Sequence, residues 1–357
     1  VLDKIDRPDL ALVAPRSLET VRTASLVHVN DTEPGIRRRR SGKGFAYISA
    51  EGKPVRDPDE LARIRALAIP PAWTDVWIAG DPDGHIQATG RDLRGRKQYR
   101  YHQRWSVCRD EVKFSSLVTF AEALPSLRET VLGDLSRRGL PREKVIASIV
   151  WLLDNTMIRV GNVAYARDNK SFGLTTLRDR HVKIAGGTLR FNFKGKSGKE
   201  WRIRLVDRRM ARILRGIQDL PGQQLFQYVG EDGQRHAVRS QDVNQYIREA
   251  CGPTFSSKHF RTWGGTISAT SIFAETPLPE TKPVRARAMN AVVDQVAARL
   301  GNTRTVCRKC YIHPLVMERW HEGTLGAELR AARRSLRKPV AGLDAEEALV
   351  WRWLARA

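Results

Sequence analysis

The spacing of apolar residues changes near residue 102, and that change limits what the chain can fold into. Before it, 26–31 (LVHVND), 44–49 (GFAYIS), 76–80 (VWIAG) and 85–90 (HIQATG) alternate or carry β-branched and aromatic side chains between turn residues. These stretches read as strands, with DPDG between the last two as a hairpin turn. One helix interrupts them at 57–69, opened by a capping aspartate and stopped by Pro70 and Pro71. Beyond residue 102 helical spacing takes over. In 141–159, Ile146, Ile149, Val150, Leu153 and Met157 form one stripe, closed by Gly161 and Asn162. Strands return within 173–205, where HVKIAG, TLRFNF and EWRIRLV predict a three-stranded antiparallel sheet turning at Gly186 and Gly187 and again at GKSG, 195–198. The remainder is helical, at 207–217, 241–250, 257–274, 284–300, 323–336 and 344–356. The expected fold is α+β, with a small β-rich domain over 1–102 and a larger, mainly α-helical domain over 103–357 containing one three-stranded sheet.

Such a chain needs a partner for its charge. Lys and Arg number 62 against 39 for Asp and Glu, a net +23 that exceeds what solubility requires. A polyanion is expected, and nucleic acid suits better than membrane, because no apolar run approaches the roughly 20 residues of a spanning helix. No secretory signal opens the sequence. The four cysteines, Cys108, Cys251, Cys307 and Cys310, are too scattered for a disulfide framework, which points to a reducing cytoplasm. Cys307, Cys310 and His313 lack the fourth ligand of a structural zinc site, so no metal is expected. The GKS triplet at 195–197 is not a nucleotide-binding loop, since position 190 is Arg where that loop needs Gly. No nucleotide is expected either.

Several cationic stretches admit two readings each. The four arginines at 37–40 form a charge run, ordinarily a solvated or flexible segment, which the overall charge tilts towards phosphate contact. In 90–105, Gln98, Tyr99 and Tyr101 interleave with Arg96, Lys97, Arg100 and His102. That mixture suits DNA backbone and base edges, or equally an exposed strand with half-buried rings. As a strand it would set Tyr99 and Tyr101 on one face and Gln98 on the other. Arg159 is expected in the last turn of its helix. Lys196 sits on a hairpin tip, as a solvated lysine or a cation carried into a DNA groove. Lys258, His259 and Arg261 share one turn.

The stretch 300–314, LGNTRTVCRKCYIHP, predicts a short helix over 305–312, capped by Asn302 and Thr303 and ended by Pro314. Tyr311 falls in its last turn beside Arg308 and Lys309. A phenol with a pKa near 10 becomes a nucleophile only where cations favour phenolate; otherwise Tyr311 is an amphipathic residue between core and solvent.

Five separated pieces occur in one order: IRVGN with Arg159, GKSG with Lys196, KHFRT with Arg261, LGNT with Asn302 and CYIHP with Tyr311, the last two residues nine apart. In this the chain resembles bacterial type IB DNA topoisomerases of the small, poxvirus-like group, from about residue 35 to the tyrosine segment. The resemblance implies a β-rich N-terminal domain and a mainly helical catalytic domain that close on duplex DNA as a monomeric clamp in the cytoplasm, at the nucleoid. It also implies catalysis by Tyr311, Arg159, Lys196, Arg261 and Asn302, without cofactor, ATP or metal, through a 3′-phosphotyrosyl intermediate. Gln98, Tyr99, Tyr101 and Lys258 match DNA-contacting positions. Two positions depart from the group: poxvirus and eukaryotic members carry His where Asn302 stands, and Cys310 precedes the tyrosine. A tyrosine recombinase uses nearly the same constellation, but the position three before its second arginine is usually His and here is Lys258. A non-catalytic duplex-binding protein is the third reading.

Overall fold

The computed structural model describes residues 26–357, with the backbone alone at 106–112. The first 25 residues of the predicted N-terminal domain and the Cys108 side chain lie outside the described residues. The chain divides into two compact units, Val1–Ser115 and Ser116–Ala357.

The first unit is built on strands β1 (Ile36–Ser41), β2 (Gly44–Ile48), β3 (Thr74–Ile78), β4 (Ile86–Arg91) and β5 (Lys97–Tyr101), with helix α1 (Pro58–Ala66) between β2 and β3. The strands form one sheet in the order β2-β1-β3-β4-β5, every pairing antiparallel. One face packs Ile36, Val76, Ile78 and Ala88 against Ile64 of α1; Val29 and Ala79 cover Trp77 on the other. Asp57 caps α1 by accepting from the Asp59 N–H, as predicted.

The arginine run forms strand β1. Arg38 donates to the carbonyls of Ile69, Pro70 and Trp73 and lies 4.1 Å from the Phe45 ring centroid, while Arg37, Arg39 and Arg40 stay exposed. Conversely, 26–31 is not a strand. It makes only a single bridge, Val27 to Gly84, and the Val29 N–H donates to the Nδ1 of His85 instead of to a neighbouring strand.

The second unit takes over within helix α2 (Gln103–Ser136) and continues through α3 (Arg142–Thr156), α4 (Val163–Asn169), β6 (Val182–Ala185), β7 (Thr188–Lys194), β8 (Glu200–Val206) and α5 (Arg208–Gln218). A small hairpin follows, β9 (Gln227–Val229) and β10 (Arg235–Ala237), then α6 (Ser240–Cys251), α7 (Ser257–Glu275), α8 (Lys282–Leu300), α9 (Arg304–Cys310), α10 (Pro314–Glu322), α11 (Leu325–Ser335) and α12 (Ala345–Leu354). The predicted three-stranded sheet is present in the order β6-β7-β8. Its inner face carries Leu189, Phe191, Phe193 and Trp201, each buried. Helix α7 is covered nearly all round, with Phe260, Trp263 and Phe273 each at most 3% exposed.

A second arginine is tied down in this core. Arg128 of α2 meets Asp154 of α3 at 2.8 and 3.0 Å and Glu347 of α12 at 2.6 and 2.7 Å. Glu347 also accepts from the indole N–H of Trp263 in α7, at 3.3 Å. Four helices thus share one polar cluster.

The first unit contains an acid-sensitive point. His85 is buried against His28, 4.5 Å away between ring centroids, and against Trp105, and its Nδ1 must be unprotonated to accept from Val29. Burial, reinforced by His28, pushes its pKa down to about 4. The unfolded chain therefore takes up this proton first, and the stability that neutral His85 supplies is complete above about pH 6.5 and lost as pH falls towards 4. Amide-exchange protection of β3 and β4 is expected to fall over that interval, and to fall less in His85→Gln; equal loss in both proteins would remove His85 as the cause.

Candidate active site

Four of the five predicted catalytic side chains converge in the second unit, each delivered by a different local device. Arg261 comes from the buried helix α7, whose first turn is fixed where the Ser256 N–H donates to the His259 imidazole at 3.1 Å. Arg261 is 3% exposed. Its guanidinium donates to the main-chain carbonyl of Met157 and, at 2.7 Å, to that of Leu300. It lies 5.0 Å from the centre of the Tyr311 ring. Burial and the nearby Arg159 charge push its pKa down to about 10, opposed by Tyr311.

Arg159 does not occupy the last turn of its helix. Helix α3 stops at Thr156, Met157 turns left-handed (φ 56°), and the Thr156 hydroxyl bonds back to the Leu152 carbonyl while accepting from the Ile158 N–H. The helix dipole is therefore not what favours this cation. The segment after Met157 is extended and pinned: Leu174 donates to the Arg159 carbonyl at 2.9 Å and Thr175 to the Val160 carbonyl at 2.7 Å. Asn162, expected to end the helix, caps the next one by accepting from the Tyr165 N–H. The Arg159 guanidinium donates to the Oδ1 of Asn302 and more weakly to the Gly301 carbonyl at 3.4 Å. Burial lowers its pKa, and Tyr311 opposes the shift.

Asn302 follows the C-terminus of α8. Gly301 is left-handed (φ 57°), its N–H bonds to Ala298 and the Asn302 N–H to Ala297, the paired bonds of a Schellman cap. Asn302 is 7% exposed. With its Oδ1 engaged by Arg159, its Nδ2 has no acceptor, and neither does the buried Nε of Arg261.

Tyr311, predicted in the last turn of its helix, lies one step past that helix. Helix α9 ends at Cys310, and Tyr311 is its C-cap, half-buried, with its N–H on the Cys307 carbonyl at 2.9 Å. Thr303 is the N-cap, as predicted. Pro314 ends nothing: it opens α10 at the first helical position, where the missing N–H costs no bond, and His313 caps that helix. The turn 311–313 rests on α7 because position 265 is glycine. A Cβ there would come 2.6 Å from the Tyr311 carbonyl. Thr266 completes the seat by accepting from the His313 N–H at 3.1 Å.

Lys196 stands apart from these four. It is exposed on the turn Lys196–Gly198 between β7 and β8 and has no hydrogen-bond or ion-pair partner among the described residues. Lys199, at the other end of that turn, donates its ammonium to the main-chain carbonyl of Asn302. Sequence reasoning missed Lys199, although the spacing of two lysines around the turn, GKSGK, was its visible sign. Lys258 is exposed one turn before Arg261. Cys307 is fully buried beneath the site, and burial raises its thiol to about 12.

The remaining predicted residues belong to the first unit, on β5. Tyr99 and Tyr101 share an exposed face, their rings stacked 5.7 Å apart, with the Lys97 ammonium 5.5 Å from the Tyr99 ring. Gln98 lies on the opposite face and donates to Asp92 at 3.0 Å.

A cationic, largely desolvated pair of arginines beside a phenol, with two donors awaiting acceptors, is equipped to hold an anion next to a nucleophile. Residues 98–336 match the family described as eukaryotic DNA topoisomerase I, catalytic core, and residues 44–92 match bacterial DNA topoisomerase IB, N-terminal domain. The chain is 34% identical to DNA topoisomerase 1B of Acanthamoeba polyphaga mimivirus over 296 residues, covering 80% of this chain and 87% of that protein. It is 23% identical over 239 residues to DNA topoisomerase I of Monkeypox virus and to DNA topoisomerase 1B of Vaccinia virus (strain Copenhagen), covering 64% of this chain and 70% of each. The chain belongs to the type IB DNA topoisomerases.

Proposed function

We propose that the protein relaxes supercoiled duplex DNA through one transient single-strand break, as a monomer and without nucleotide or metal. The observation that carries this reading is Arg261 lying against the Tyr311 ring, beside an Arg159 that feels the phenol and holds Asn302, with Arg261 Nε and Asn302 Nδ2 lacking acceptors. A phosphodiester supplies those acceptors. As the Tyr311 Oη bonds to phosphorus and its proton passes to water, charge grows on the non-bridging oxygens, where the two guanidiniums and the Asn302 amide are worth most. Asparagine cannot transfer a proton, so its part is electrostatic. The P–O5′ bond breaks and the Lys196 ammonium protonates the departing 5′ oxygen. One phosphodiester is exchanged for a phosphotyrosine of similar energy, so the broken strand can turn about its partner and the reverse step reseals it. Torsion in the DNA supplies the drive.

Duplex contact beyond the scissile phosphate is assigned to Lys258 and, in the first unit, to the stacked Tyr99 and Tyr101 with Gln98. Relaxation of a plasmid that carries no recombination site, without ATP or magnesium, tests the whole reading. A protein that only binds, or only recombines, leaves the plasmid supercoiled.

Tyr311→Phe is expected to abolish cleavage and keep DNA affinity, measured by covalent-adduct formation and by equilibrium binding; a phenylalanine variant that still relaxes plasmid excludes Tyr311 as nucleophile. The two arginines should separate in a way their residue type does not suggest. Arg159→Ala is expected to slow cleavage by about 10²–10³-fold, as loss of one transition-state donor does, with little change in melting temperature. Arg261→Ala should slow it comparably and also destabilise the second unit, by roughly 1–3 kcal/mol for each carbonyl left without its donor. Equal melting temperatures for the two variants would contradict the structural part given to Arg261.

For Lys196→Ala, slowing of roughly 10²–10⁴-fold is expected on ordinary DNA, the range general acid catalysis supplies. A 5′ thiolate, with a pKa near 8.5, leaves without a proton. DNA with sulfur at the bridging 5′ position should therefore restore fast cleavage in this variant but not in Arg159→Ala, and an alanine variant equally slow on both duplexes would move the acid elsewhere.

A further inference from the structure

The turn that carries Lys196 is fastened to the loop that carries Asn302, and the fastening residues have no part in the chemistry above. Lys199 closes the turn with its main chain, its carbonyl accepting from the Gly195 N–H at 2.8 Å, while its ammonium leaves the hairpin to reach the Asn302 carbonyl. Trp201, two residues on, lies against the same two segments. A Cβ placed on Gly195 or on Gly301 would come within 2.6 Å of its indole, so both glycines sit directly on the ring. The indole is 6% exposed and stacks on Phe193, with ring planes 4° apart. The base of the hairpin is therefore held at two points against the residues next to Arg159's partner. Among the described residues the tip is bonded only within its own turn, the Gly198 N–H to the Gly195 carbonyl at 3.0 Å; Lys196, Ser197 and Gly198 are exposed, and Ser197 and Gly198 are both left-handed, at φ 63° and 73°.

We propose that Lys199 is a positioning residue for Lys196. With its ammonium seated on the Asn302 carbonyl, it sets how far the hairpin tip stands from the phosphate cradle, and so whether the Lys196 ammonium meets the departing 5′ oxygen. Asn302 then serves both partners, its side chain facing Arg159 and its main chain anchoring the hairpin. Lys199 is half-buried and donates to a main-chain oxygen, so its role is met by any side chain of similar reach that keeps a donor. The inference rests on the assignment of Lys196 as general acid.

The test is single-turnover cleavage of duplexes with oxygen or sulfur at the bridging 5′ position, using the full chain carrying Lys196→Ala, Lys199→Ala, Lys199→Arg, or both alanine substitutions. Lys199→Ala should be slower on oxygen by up to about 10²-fold, the effect of misplacing a reacting group by about 1 Å. It should be close to wild type on sulfur, where no acid is needed. The double variant should be no slower on oxygen than Lys196→Ala alone, and Lys199→Arg should recover most of the rate. A misfolded or loosened site would be slow on both duplexes, so equal slowing overturns the positioning role, as does a double variant in which the two losses multiply. If sulfur rescues Lys196→Ala but not Lys199→Ala, the acid assignment stands and the positioning role fails. If sulfur fails to rescue Lys196→Ala, the acid assignment fails and the positioning role falls with it.

Discussion

A guanidinium carried into the middle of a helical core must find acceptors there, and Arg261 finds them in two main-chain carbonyls 143 positions apart in sequence: Met157, just past α3, and Leu300, at the end of α8. Through those two bonds one side chain fixes the start of the segment bearing Arg159 and the start of the loop bearing Asn302. The same helix, one turn further on, receives the tyrosine turn against Gly265. Ionised groups are expensive to bury unless paired. Pairing with carbonyl dipoles meets part of that expense without cancelling the charge.

Arg128 shows the other solution. It is met by two carboxylates, Asp154 and Glu347, so its positive charge is neutralised within the protein. Among the described residues no carboxylate pairs with Arg159 or Arg261. The two environments therefore separate an arginine that braces helices from a pair whose positive charge is left for an incoming anion. The depressed pKa of Arg261 expresses that imbalance: burial and a like-charged neighbour both disfavour the cation, and a phosphate would reverse both effects.

The periodic parts of the fold were legible in the sequence, and the parts set by distant partners were not. The three-stranded sheet and most helices follow from local spacing and turn residues, which is why β6, β7 and β8 fall where HVKIAG, TLRFNF and EWRIRLV predict them. Arg159 was identified, yet its setting was misread, because the apolar stripe runs through Met157, while the Thr156 hydroxyl and tertiary bonds from Thr175 and Arg261 hold the chain out of the helix there. Within the arginines at 37–40, Arg37, Arg39 and Arg40 are exposed, and nothing local marks out Arg38, which sits on three loop carbonyls and the Phe45 ring. The GKSGK spacing marks a lysine on each side of the turn but gives no partner for Lys199, whose acceptor is a carbonyl more than a hundred residues away in sequence.

The brace around Glu347 has a consequence for the order in which the chain is made. Glu347 lies 36 positions after Tyr311, yet it holds Arg128 of α2 and, through its bond to Trp263, the helix that carries Arg261. Synthesis runs from the N-terminus, and domains generally fold as units as they emerge. A nascent chain that has just exposed its tyrosine still lacks the acid that ties together the helices behind it. Ribosome transit thus separates the appearance of the phenol from the completion of its scaffold, and the interval is written into the sequence as the length of α10, α11 and the turn into α12.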